Sequence, residues 1–210
     1  MPIICPAILA EEPHAFREQM ERVAPFAQRV QIDLTDGEFA PSRTVNIENV
    51  WWLKTVIADL HLMYKKPALV LDKAISLQPH MIILHAESEG DFVDMAEKLR
   101  DHHIKAGVAL LPETEVSDIE PSLSVIDHVM IFSGDLGRFG GQPDMTLLKK
   151  VKSLKKLKPE LEIGWDGGVT TKNIKQLVDG GIDVLNVGGF IQHANNPEQA
   201  YGKLVTVLEA

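Results

Sequence analysis

Cysteine is nearly absent from this chain: Cys5 is the one thiol among 210 residues. No internal disulfide can form, which fits a reducing compartment. Cys5 itself reads as a small buried hydrophobe on a first strand. Positive charge is also short, with 21 Lys and Arg against 30 Asp and Glu and a net charge of −9. A general nucleic-acid or anionic-membrane surface needs a basic field, so both are excluded as partners. A small anion could still bind, captured locally by backbone N–H groups. No apolar run approaches the ~18 residues of a membrane span. The apolar stretch in MPIICPAILAEE (1–12) has no basic residue before it and makes a poor secretion signal. A cytoplasmic protein is expected. Low-complexity tracts and long linkers are missing too, and the length suits one domain, 1–210.

What is present is a recurring pattern. Short apolar segments cover 3–9, 29–34, 58–63, 80–86, 105–111, 127–132, 161–166 and 182–188. Helix-like amphipathic stretches lie between them, such as 91–103, 145–157 and 171–181, the last opening on Thr-Thr and closing on Gly-Gly. Continuous apolar strands are buried on both faces, the mark of a parallel sheet. Eight strand–helix units in this length predict a closed (β/α)8 barrel of the α/β class, with a doubly wound open sheet as the alternative.

That fold places its active site at the C-terminal strand ends. The polar residues there are Asp33 and Asp36 on strand two, His61 on three, His85 and Glu87 on four, and Asp166 on seven. In the stretch QIDLTDG (31–37), Gln31 and Asp33 lie two apart on a strand and share a face. Asp33 and Asp166 come from opposite sides of the mouth. Two facing carboxylates can take a proton from one face of a carbon and return it to the other, as epimerisation next to a ketone requires. The enediolate needs stabilising, most simply by a metal acting as Lewis acid, and His61 could supply a nitrogen ligand. The plainer alternative is that these aspartates cap loops or helix starts. Gly140, Gly141, Gly167, Gly168, Gly188 and Gly189 form three pairs after strands six, seven and eight, and read as a phosphate cradle or as plain turns. His102 and His103 belong to a helix end, and KKVKSLKKLK (149–158) to a solvated helix face. Trp51 and Trp52 fall in or beside the second helix, one packed and the other marking a subunit contact, so a homo-oligomer is expected.

In order and spacing, PAILA (6–10), IDLTDGEFAP (32–41), DLHLM (59–63), LHAE (84–87), KAGVALLP (105–112), FGGQ (139–142) and WDGGV (165–169) resemble the ribulose-phosphate 3-epimerase family. The resemblance covers nearly the whole chain. It implies a ribulose-phosphate-binding barrel acting on a phosphorylated ketopentose, with Asp33 and Asp166 as acid and base. It implies a divalent metal (Zn, Mn or Fe) on Asp33, His61, Asp166 and a second histidine, and that histidine's place is taken by Gln31. A neutral amide is a poor partner for zinc, so weakened metal binding is expected. Met63 and Gln142 would lie near the substrate. The chain departs from the family at Ala7, Ala10, Leu111 and Gly189, and in a longer loop, SGDLGRFGGQ (133–142). Whether Glu38 or Arg138 reaches ligand stays open. The D-x-K-x-x-D strand of the related decarboxylase and hexulose-phosphate synthase barrels is missing, with DLTDG (33–37) in its place. Interconversion of ribulose 5-phosphate and xylulose 5-phosphate is therefore expected. The alternatives are another phosphosugar-barrel enzyme, or a non-catalytic phosphosugar-binding protein with a degraded metal site.

Overall fold

The computed structural model describes residues 1–209. Eight parallel strands close in chain order: β1 (Ile3–Ile8), β2 (Arg29–Thr35), β3 (Ile57–Met63), β4 (Met81–His85), β5 (Lys105–Leu110), β6 (His128–Phe132), β7 (Glu162–Asp166) and β8 (Val184–Val187). Pairing of β1 with β8, from Ile3↔Val184 to Pro6↔Val187, completes the ring. The helices are α1 (Pro13–Val23), α2 (Ala68–Ser76), α3 (Phe92–Asp101), α4 (Leu148–Leu157), α5 (Ile174–Asp179), α6 (Gly189–Gln192) and α7 (Pro197–Glu209). No described helix is long and apolar enough to cross a membrane.

Two of the expected eight helices are missing among the described residues. The connection after β2 has only a 3-10 turn at Ile47–Asn49, and that after β5 only turns at Val116–Asp118 and Glu120–Ser122. Trp51 and Trp52 therefore belong to irregular chain. The segment before them is rich in Thr, Val and Asn, weak helix formers, and Val45 N–H donates across to the Ala10 carbonyl at 2.9 Å. Trp51 packs edge-on against Phe16 of α1, ring centroids 6.1 Å apart. Both tryptophans are half-buried.

Each strand is buried on both sides, and the alternation sorts its residues. Val30, Ile32 and Leu34 of β2 join the shell between strands and helices, as do Leu60, Leu62, Ile82, Leu84, Ile163 and Trp165. The opposite set points into the barrel. There Met81, Ile83, Ala109, Met130 and Phe132 form an apolar inner cluster from β4, β5 and β6. On β2, β3 and β8 the inner set carries the polar residues Gln31, Asp33, Asp59, His61 and Asn186, all buried.

A charged layer fills the N-terminal end. Arg29 Nε donates to Asp59 at 2.5 Å, and its two Nη groups donate to Glu162 at 3.0 and 2.9 Å. His80 meets Asp59 and His128 meets Glu162, each at 2.8 Å. Gly164 leaves room for the His128 ring, because a Cβ there would lie 2.6 Å from Nε2.

The lysine-rich stretch 149–158 is not simply a solvated face. Lys150 is buried and donates to the carbonyls of Leu111, Pro112 and Thr114 at 2.7–2.9 Å. Lys158 likewise holds the carbonyls of Leu123 and Ile126. Loop carbonyls converging on α4 turn these two side chains into anchors. Both secure the helix-poor connection after β5.

Candidate active site

The two-residue period of β2 sends Gln31 and Asp33 into the barrel, and the register sets Asp33 beside His61 and Asp166 beside Asn186. Although β2 and β7 are separated by β1 and β8, their carboxyl groups do not merely face each other across the mouth. Ligand atoms of Asp33, His61 and Asp166 all lie within 4.8 Å of one another. The Gln31 side chain sits between the acids, its Nε2 donating to Asp33 Oδ1 at 2.8 Å and to Asp166 Oδ2 at 2.5 Å. Its Oε1 is buried without a partner.

From Asp33 a chain of contacts runs outward. His61 Nδ1 meets Asp33 Oδ1 at 2.9 Å, His61 Nε2 meets His85 Nε2 at 2.9 Å, and His85 Nδ1 meets Glu87 Oε2 at 3.2 Å. Three links need three protons, and two neutral imidazoles supply two. Burial holds both rings down to about 4, the second against the pull of Glu87, so neither carries an extra proton near neutrality. Burial pushes Glu87 upward, but hydrogen bonds from His85, Thr114 and the Leu111 N–H bring it below the usual range. Burial lifts Asp33 to about 7 against the opposing Gln31 hydrogen bond. The third proton therefore belongs on Asp33. Burial first, then the neighbouring Asp33, raises Asp166 to about 7 as well. Two carboxyls that titrate near neutrality could serve as an acid and a base side by side.

Three of the expected metal ligands are thus gathered into a group that could hold an ion. The fourth corner disagrees. Gln31 turns an N–H2 group to both carboxyls, so a cation between them would meet amide protons instead of a lone pair. As arranged, the four residues do not fit a metal; Gln31 would first have to rotate and present Oε1.

Asp33, His61 and Asp166 open into a cavity of about 280 Å³, which Met63 also lines. All six paired glycines line it too, together with Thr170 and His193. Part of the glycine pattern is packing: a Cβ on Gly167, at φ +118°, would lie 2.3 Å from Gly134 N. The β6 and β7 loops can touch only because that side chain is missing. The longer loop 133–142 arches over to the β2 side, where Ser42 Oγ donates to the Gly137 carbonyl at 2.7 Å. This brings Arg138 to the cavity wall. Gln142 and Glu38 are exposed and do not line the cavity. Asp36 organises the loop after β2, accepting from the N–H groups of Glu38, Phe39 and Lys65. Asn186 escapes the motifs, although one polar residue in VLNV is itself a signal. It too lines the cavity.

Residues 3–192 match the family model described as the ribulose-phosphate 3 epimerase family. The curated ribulose-phosphate 3-epimerase of Helicobacter pylori strain J99 is 30% identical over 214 residues, covering 98% of each chain. That of Aquifex aeolicus is 27% identical, covering 99% of this chain and 97% of the relative. Among solved structures, 3-keto-L-gulonate-6-phosphate decarboxylase from Vibrio cholerae superposes with a TM-score of 0.75 at 14% identity, covering 99% of this chain and 97% of the other. Orotidine 5'-phosphate decarboxylase from Pyrococcus horikoshii gives 0.72 at 16%, covering 99% and 100%. At such identities the structures speak for the barrel alone, whereas the family match spans nearly the whole sequence. The chain belongs to the ribulose-phosphate 3-epimerase family of isomerases.

Proposed function

We propose that this protein interconverts ribulose 5-phosphate and xylulose 5-phosphate by proton transfer at C3. One observation carries the reading: two carboxyls within 4.8 Å of each other, Asp33 buried and Asp166 partly so, both raised to about 7, in the cavity that the paired glycines line. The ionised Asp166 takes the C3 proton from one face, and the protonated Asp33 returns one to the other. Reversal swaps their roles. The six glycines hold the phosphate through backbone N–H groups, which capture an anion without needing a basic surface. Met63 borders the sugar. A cytoplasmic setting fits the single buried thiol.

A second reading is that another phosphorylated sugar is the substrate. Arg138, carried to the cavity wall by the longer loop, favours it, since a guanidinium there could clamp a further anionic group. The deciding experiment is deuterium uptake at C3 of ribulose 5-phosphate in D2O, followed by NMR. Uptake with formation of xylulose 5-phosphate is the expected result. No uptake, with phosphate or ribulose 5-phosphate still binding, would move the assignment to a different sugar.

A further inference from the structure

On the reading that this site moves a proton at a sugar carbon, we infer that the Gln31 carboxamide is a built-in clamp standing where a metal would bridge Asp33 and Asp166, so that the pair is held and works metal-free. Both N–H groups of one nitrogen are in use, at 2.8 Å to Asp33 and 2.5 Å to Asp166. Two acids from strands that are not neighbours are thereby tied to one point. Turning the amide over would aim Oε1 at two carboxyl oxygens, acceptor against acceptors. The actual orientation has its own cost, for Oε1 is left buried and unpaired. A buried amide acceptor is normally satisfied. Its sacrifice marks the two N–H bonds as the contacts that fix this side chain.

The neighbours add to the case. His61 spends Nδ1 on Asp33 and Nε2 on His85, so both its ring nitrogens are engaged within the protein. Gln31 is 1% exposed and lies beside Ala7 of β1. Gln31 is a positioning residue here: it acts through the two acids, which it holds at working distance.

The test is made on the full chain and reads metal before activity. After dialysis against Zn²⁺ or Mn²⁺, the wild type is expected to retain far less than one ion per chain by elemental mass spectrometry. Gln31→His supplies a lone pair in place of the N–H2 group and should bind one zinc, at least about tenfold more tightly. Chelation should leave the wild-type C3 exchange rate unchanged. Gln31→Leu, similar in size but unable to donate, should lower that rate about 10²-fold with KM little moved and the pH profile displaced. One tightly held ion in the wild type, with exchange lost on chelation, would overturn the inference, as would a Gln31→Leu enzyme exchanging at the normal rate. A substrate-free measurement keeps the test decisive should ribulose 5-phosphate be the wrong sugar, or should the leucine variant not fold. The Gln31 side-chain N–H2 should give slowly exchanging ¹H–¹⁵N signals in the wild type, and rapid exchange with bulk water would refute the clamp.

Discussion

The lower end of this barrel groups Asp59 and Glu162 around Arg29, and the upper end groups Asp33 and Asp166 around the neutral amide of Gln31. Asp59 and Asp33 are both almost completely enclosed. The difference lies in the partner. Burial pushes Glu162 upward, but hydrogen bonds from His128 and Arg29, with their charges, carry it well below the usual carboxylate range. At the upper end burial meets no full positive charge, and Asp33 and Asp166 rise to about 7. Ion pairing with Arg29 keeps Glu162 an anion and makes the lower layer a structural plug. Withholding the cation makes the upper acids titratable near neutrality. The same barrel interior thus yields a structural ion-pair layer at one end and a pair of titratable carboxyls at the other.

The largest effect expected from breaking this contrast is on turnover. Asp166→Asn keeps the shape and hydrogen-bonding capacity of the upper group but removes its base, so kcat should fall about 10³-fold with modest change in KM. Steady-state kinetics would check it, and turnover near the wild-type level would remove Asp166 from the mechanism. The next effect is on stability. Arg29→Met leaves Asp59 and the partly exposed Glu162 without their cation, and should cost about 3 kcal/mol. Thermal or urea unfolding reads this, and an unchanged midpoint would mean that His80 and His128 suffice to hold the layer.

The smallest effect is a pair of opposite pH slopes. Glu162 is depressed in the fold, so its contribution is present above its ordinary value of 4.5 and is lost as the pH falls below it. Asp33 and Asp166 are raised, so between 3.8 and about 7 the folded chain holds more protons than the unfolded one. Stability from these groups therefore declines as the pH rises through that window. Unfolding by urea at pH 4 to 8 should show the decline, and Asp166→Asn should flatten it. A slope unaffected by that substitution would assign the decline to other groups.

The apolar runs determined the strands by themselves. Eight continuous apolar stretches, with no polar alternation to face water, point to a parallel sheet covered on both sides, and the pairing of β1 with β8 decides for the closed barrel over an open sheet. Asp33, His61 and Asp166 were equally legible, because each ends or nearly ends an apolar strand and a polar residue there must face the mouth. The connections were not legible in the same way. Pattern alone suggested a helix near Trp51 and Trp52, where the backbone instead ties Val45 to Ala10. It also made Lys150 a surface residue, because nothing local shows that three carbonyls of a distant loop will converge on it. Gln142 read as near the substrate and is exposed, since its direction depends on how loop 133–142 crosses to Ser42. The identity of Gln31 was plain from the sequence, but its orientation was not. Only the closed barrel brings acids 133 positions apart to one nitrogen (33 on β2, 166 on β7; 166 − 33 = 133) and settles that the amide offers them protons. Local chemistry chooses which residues face inward; the distances between them are set by closure of the sheet.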